Sequence, residues 1–318
     1  MKLGLRLPQR LGVDLQHDVV EAARTAEAAG YESLWTYERL LFPQTPAEPY
    51  APPNVGWPEA QRQAADPLAV LTAAAVVTNE VRLGTAVLVA ALHTPVQLAK
   101  ALATIDQISG GRVIAGVGTG WSSDELQATG TTRADRGRFL DETLDVFDAV
   151  WGPDPVTFRG PRVVIDNAAV LPKPVSTIPV MIGGGGSNRG RATSSKVVER
   201  IARRADGWLP LLTTPGPAGA AELRTSWDRL REMASGFGRD TSRMEMIVVG
   251  NVTFTDHPAR ADRPGFVGTL DQIMDDIHTA AEAGADELIL DLNLQDWFTS
   301  TKQMLDTAVE IRERAAGG

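Results

Sequence analysis

The chain has 318 residues, 43% of them hydrophobic, and its 31 basic against 40 acidic side chains leave a net charge of −9. The length exceeds the roughly 250 residues of a minimal (β/α)₈ barrel, so one core with insertions is expected. The negative balance argues against nucleic acid or an acidic membrane as partner. The absence of cysteine excludes disulfides, thiolate nucleophiles and thiolate metal sites.

Eight short β-branched or leucine-rich runs, each followed by a helical pattern, appear along the chain: 2–8, 33–38, 81–89, 112–118, 178–183, 207–211, 244–250 and 286–292. Strands that alternate with helices are joined by right-handed crossovers, which build a parallel sheet with the helices outside. Eight such units close into a barrel, read here as one domain over 1–318. The helices carry their own start and stop signals. Asp14 opens an alanine-rich helix with Leu15, Val19, Ala22, Ala26 and Ala29 on one stripe, and Gly30 ends it. Thr94, Pro95 and Gln97 form an N-cap, a pre-set first turn and a capping-box partner before the Gly110–Gly111 stop, and Thr269 with Gln272 repeats the box before Gly284. The segment 68–77 is apolar nearly all round, so its outer side calls for a cover, and a homodimer interface is the simplest one.

Two connections exceed what a βα unit needs. The first, about 39–65, is proline-rich with Phe42, Tyr50 and Trp57, and follows the second strand on the catalytic side of a barrel. The second, about 122–177, contains a helix over 138–151 and then an irregular proline-rich stretch.

Chemistry concentrates at strand ends. The run Ile178 to Ile182 feeds Gly183, Gly184, Gly185, Gly186, Ser187, Asn188 and Arg189. A strand running into four glycines and a helix lets backbone N–H groups approach an anion closely, with the helix dipole in support. It reads as a phosphate cradle, with Arg189 and Arg191 at its mouth. Lys196, Arg200, Arg203 and Arg204 are spaced along a solvated helix face. At the end of the fourth strand, Gly116, Gly118, Thr119, Gly120 and Trp121 clear room for a planar ligand, unless Ser122 merely caps the next turn and Trp121 is packed. Glu38, Arg39, His93 and Asp291 are the strand-end acid–base candidates. No HExxH or carboxylate cluster supports a metal site, so chelators should leave activity unchanged.

Several segments together resemble the luciferase-like monooxygenase superfamily, especially its deazaflavin (coenzyme F420) dependent oxidoreductases. They are AARTAEAAGYESLWTYERL, DPLAVLTAAAVVTNEVRLGTAVLVAALHTPVQLAKALATIDQISGGRVIAGVGTGW, IPVMIGGGG, ARRADGW and GTLDQIMDDIHTAAEAGADELILDL. The resemblance covers most of the chain in order and implies a bacterial-luciferase-like TIM barrel. It implies a non-prolyl cis peptide between Ala86 and Val87 beneath the cofactor ring, with Thr85 nearby. It also implies Thr119, Gly120 and Trp121 flanking the ring, and Gly183 to Ser187 holding the phosphate. The expected function is hydride transfer between coenzyme F420 and a small organic substrate, with a separate enzyme recycling the cofactor. An FMN monooxygenase fed by a reductase is the alternative, and a non-catalytic flavin-binding protein a third. Sugar-phosphate dehydrogenases of this kind carry Asp-His where this chain has Glu38 and Arg39, and Glu where it has Trp121, so those roles do not transfer. Glu38 or Arg39 is expected to hydrogen-bond or protonate the substrate, beside Trp121. Residues 1–9 lack the apolar core of a signal peptide, and no run approaches the roughly 18 apolar residues of a membrane span, so a cytoplasmic protein is expected.

Overall fold

The computed structural model describes residues 1–50, 57–184, 194–294 and 298–317. Eight parallel strands carry the fold: β1 (Lys2–Arg6), β2 (Ser33–Thr36), β3 (Arg82–Thr85, resuming at Leu88–Val89), β4 (Val113–Gly118), β5 (Val180–Gly183), β6 (Gly207–Leu209), β7 (Glu245–Asn251) and β8 (Glu287–Asp291). Each pairs with the next, and β8 pairs with β1 in the register Lys2↔Glu287 to Leu5↔Leu290, so the barrel is closed. Every strand lies in one of the runs read from the sequence, to within a residue. Parallel strands buried on both faces read as unbroken apolar stretches, and that is why they stand out.

The helices outside are α1 (Asp18–Ala28), α2 (Pro67–Val77), α3 (Pro95–Ser109), α4 (Ser123–Ala128), α5 (Arg136–Trp151), α6 (Ser195–Arg204), α7 (Gly216–Gly236), α8 (Leu270–Glu282) and α9 (Thr301–Gly317). Helix α1 starts at Asp18 rather than at Asp14, because the Asp14 carboxylate accepts from Gln16 N at 3.0 Å and sits 2.8 Å from His17 Nδ1, holding a separate turn. Leu15 is therefore exposed instead of joining the buried stripe. Thr94 occupies the N-cap of α3 without a side-chain capping bond, whereas Gln272 Oε1 accepts from Thr269 N at 3.2 Å to close the box of α8. The proline-rich stretch after α5 is not irregular: Val156–Arg159 and Val164–Ala168 form an antiparallel hairpin.

Strand alternation divides the side chains between two cores. Outward residues meet the helices, and inward ones, Trp35, Ile114, Met181, Leu209, Ile247, Val249 and Ile289, fill the barrel. Trp35 fits because β3 offers Gly84, where a Cβ would lie 2.3 Å from the indole. The floor is polar. Arg82 reaches Glu245 at 2.9 Å and also pairs with Glu287, which accepts from Trp35 Nε1 at 2.9 Å and from Ser33. These groups come from the N-terminal ends of β3, β7, β8 and β2 and tie the bottom of the barrel shut. The opposite, C-terminal mouth is where α/β barrels place their chemistry.

Candidate active site

The peptide between Ala86 and Val87 is cis, at the position the resemblance implied. It interrupts β3 at the mouth, and the neighbouring strands are shaped to it. A Cβ on Gly118 of β4 would lie 2.8 Å from Val87 Cγ2, and one on Gly183 of β5 would lie 2.7 Å from Val87 Cγ1. The Val87 side chain thus lies between two glycines, and the first residue of the tetraglycine corner is its direct neighbour. Gly184 follows at φ 105°, a region open to glycine, and its carbonyl accepts from Trp208 Nε1 at 2.6 Å. Gly185, Gly186, Ser187, Arg189 and Arg191, the rest of the expected cradle, lie outside the described residues.

Thr85 is fully buried, and its hydroxyl is already engaged: it donates to Gly116 O at 2.8 Å and accepts from Gly116 N at 3.0 Å. It joins β3 to β4 beside the bulge rather than offering a free group. Thr119 and Gly120 follow β4, half-buried. Gly120 turns at φ 72°, with its carbonyl accepting from Arg136 Nη1 at 2.9 Å.

The layer directly beneath the bulge was not singled out from the sequence, apart from Asp291. Alternation along β1 carries the inward side from Gly4 to Arg6, and along β2 from Trp35 to Tyr37. Arg6 is buried, pairs with the wholly buried Asp291, and donates to the carbonyl of Ala86, the carbonyl of the cis peptide itself. Asp291 Oδ1 also accepts from Asn293 N at 3.0 Å and Nδ2 at 3.1 Å, and Asn293 Oδ1 accepts from Gln9 N at 3.1 Å. Gln9 then donates to Tyr37 O and Ala65 O at 3.0 and 2.8 Å and accepts from Tyr37 N at 2.8 Å. One continuous buried network therefore links the bulge, three other strand ends and the end of the first long loop. Such a network fixes geometry because each member has partners. Tyr37 also lies under the Arg6 guanidinium, 5.5 Å from its ring centre. Burial foremost, then the charge of Asp291, push its phenol above the ordinary value, against the pull of Arg6.

Glu38 and Arg39 are held rather than free. Glu38 accepts from Val89 N at 2.5 Å and meets His93 Nε2 at 2.7 Å, so two sequence candidates form one pair that fastens the end of β2 to the segment after β3. Burial alone would lower the pKa of His93, yet the hydrogen bond and charge of Glu38 raise it above 6.5. Arg39 donates to Glu125 Oε2 at 2.8 Å, and its guanidinium lies 4.7 Å from the ring centres of both Trp57 and Trp121. Burial raises the Glu125 carboxyl in spite of Arg39. Trp121 is 5.1 Å from Trp57 and 5.7 Å from Tyr50, ring centre to ring centre. Tyr50 and Trp57 of the first long loop thus gather on Trp121, three residues past the end of β4. Ser122 does cap α4, accepting from Glu125 N at 3.4 Å, and the loop is fastened to that same turn through Leu40 N on Glu125 Oε1 at 2.7 Å and Ala47 N on Asp124 Oδ2 at 3.0 Å. On the basic face of α6, Lys196 and Arg203 are exposed as expected, whereas Arg200 meets Asp141 at 2.5 Å and Arg204 meets Asp145 at 2.6 Å, both on α5.

The comparisons fit this geometry. A protein of Mycobacterium tuberculosis without an assigned activity is 36% identical over 197 residues, which is 61% of this chain and, at 66%, just under two thirds of that relative. An F420-dependent glucose-6-phosphate dehydrogenase of Kineococcus radiotolerans is 26% identical over 292 residues, covering 89% of this chain and 79% of the relative. Among solved structures, an F420-dependent secondary alcohol dehydrogenase in complex with an F420-acetone adduct superposes with a TM-score of 0.77 at 20% identity, over 99% of this chain and 98% of that one. The sequence profile of the luciferase-like monooxygenases matches residues 1–264, and with the closed barrel and its bulged third strand this establishes that the chain belongs to the luciferase-like monooxygenase family.

Proposed function

We propose that this protein is an oxidoreductase that binds coenzyme F420 at the C-terminal mouth of the barrel and transfers hydride between it and a small organic substrate. The observation that carries this reading is the meeting of Val87, Gly118 and Gly183: a bulge flanked by glycines on both sides, beside the start of a glycine corner. A tricyclic ring would rest against this bulge, with the backbone of the two glycine-bearing strands on either side. Val87, Gly118, Thr119 and Gly120 would line the ring, and Gly183 and Gly184, with Gly185, Gly186, Ser187 and Arg189 beyond the described residues, would take the phosphate at the approach to α6. The bound deazaflavin would supply the hydride chemistry, while the protein orients it. Arg6 and Asp291 fix the carbonyl of the bulge, and the loop residues Tyr50 and Trp57, with Trp121, wall the substrate side. Arg39, which the sequence suggested as an acid–base group, holds this wall to Glu125, and Glu38 holds the segment after the bulge. The named F420-dependent relatives support the choice of cofactor, and the family's monooxygenases keep FMN as the rival.

The test is mass spectrometry and absorbance of the small molecule that co-purifies from a host making both cofactors, followed by titration of the stripped protein with each. F420 binding with oxygen-independent turnover is expected. Tight FMN binding with turnover that requires oxygen would replace this reading by a two-component monooxygenase, and cofactor binding without turnover across donor and acceptor screens would leave a flavin-binding protein. A separate dehydrogenase or reductase is expected to recycle the cofactor. The outer side of α2, where Val76 is 65% exposed, is the face through which a homodimer would form. Among the described residues no helix is long and apolar enough to cross a membrane; a cytoplasmic location remains part of this proposal.

A further inference from the structure

Tyr37 is 5% exposed, and its buried hydroxyl oxygen has no hydrogen-bond partner among the described residues. Buried hydroxyls are almost always paired, because leaving one unmet costs about 1–3 kcal/mol. Its backbone is fully engaged with Gln9, so the orphan is the phenol alone. Its position is defined on two sides. Arg6 and Asp291, the pair beneath the bulge, lie on one side, and Arg39 and Tyr50 stand on the loop side. The nearby cations are engaged: the terminal nitrogens of Arg6 by Asp291 and the Ala86 carbonyl, with only its Nε left without a partner among the described residues, Arg39 by Glu125 and two indoles, and Arg136 by the Gly120 carbonyl.

We infer that Tyr37 is a substrate-binding residue whose hydroxyl donates a hydrogen bond to the oxygen of an uncharged aromatic or aliphatic carbonyl compound, or of the corresponding alcohol. This rests on the reading above and goes further, since it names the oxygen's partner and the class of substrate. An uncharged molecule suits a mouth in which Arg6 and Arg39 are each paired with a carboxylate and whose wall is Tyr50, Trp57 and Trp121. In the reducing direction, hydride would arrive at the carbonyl carbon from the reduced cofactor, and the oxygen would take a proton; the phenol holds that oxygen throughout, and water can supply the proton.

The experiment compares the full-length protein with Tyr37→Phe in three measurements. In melting of the cofactor-free proteins, loss of an unpaired buried hydroxyl is expected to leave the midpoint unchanged or raise it; a fall of several degrees would mean the hydroxyl has a structural partner and would overturn the inference. In binding of carbonyl-¹³C acetophenone to the F420-loaded protein, the wild type should shift the carbonyl resonance downfield and the variant should lose that shift, with affinity about threefold to tenfold weaker, as one neutral hydrogen bond predicts. Equal shifts and affinities in the two proteins, or no binding of acetophenone to the loaded wild type, would overturn it. In titration with F420 alone, both proteins should bind equally, and weaker cofactor binding by the variant would assign the hydroxyl to the cofactor instead. Failure of the wild type to bind F420 would remove the proposed function, whereas intact F420 binding with an unresponsive carbonyl shift removes only the role of Tyr37.

Discussion

Replacing Arg6 by Met tests whether the ion pair under the bulge holds the mouth together. The side chains of Arg6 and Asp291 are 8% and 0% exposed. Removing the guanidinium leaves a wholly buried carboxylate whose remaining side-chain partner among the described residues is Asn293. Breaking a buried pair from one side costs about 3–5 kcal/mol, and the Ala86 carbonyl, which loses its donor, adds about 1–3 kcal/mol. At about 2 cal/mol/K per residue, a chain of this size has an unfolding entropy near ~0.7 kcal/mol/K, so the pair alone should lower the melting midpoint by roughly 4–7 °C. Urea denaturation with an unchanged slope gives the free energy, and scanning calorimetry gives the midpoint. The double variant Arg6→Met/Asp291→Leu should recover part of the loss, because no charge is then stranded. Arg6→Lys should fall between, since an ammonium group cannot serve the carboxylate and the carbonyl with the same forked geometry. A loss below about 1 kcal/mol for Arg6→Met, or a double variant as damaged as the sum of its singles, would refute the reasoning.

Gly183→Ala should weaken F420 or FMN binding about tenfold or more, since the added carbon meets Val87 at 2.7 Å, and adding Val87→Ala should recover much of it; equilibrium titration of the three proteins decides, and no recovery would mean that the crowding lies elsewhere. The raised His93 pKa gives a pH signature: the folded value lies above 6.5, so the stability from the Glu38 pair is complete below about pH 6.5 and is lost as pH climbs through the raised value. His93→Gln should flatten that part of the stability–pH curve, and identical curves would show that the pair contributes nothing.

The barrel was legible because buried parallel strands are written as continuous apolar runs, and Gly30, Gly110 and Gly284 mark helix ends at positive φ. The misplaced start of α1 came from Asp14, whose short side chain satisfies its own turn as readily as a helix. The hairpin after α5 escaped notice because its strands are largely exposed and carry no clear alternation. At the site, charge drew attention to Glu38 and Arg39, and both turned out to be engaged with His93 and Glu125. Arg6 and Tyr37 were available by counting two residues on from Gly4 and Trp35, an inference that needs the register of a closed barrel. The partners of Trp121 lie 64 and 71 residues earlier in the chain, at Trp57 and Tyr50, and no local pattern encodes such a meeting.

The first long loop is fastened independently at both ends, by Glu38 and Arg39 where it leaves β2 and by the Gln9 amide at Ala65 where it returns. Neither fastening depends on how many residues run between them, and doubling a connecting segment costs only about 0.6 kcal/mol in closure entropy. The stretch from Leu40 to Ala64 is therefore a cassette: an evolving lineage, or a protein engineer, can splice in a replacement of different length and lining while the machinery below keeps its shape.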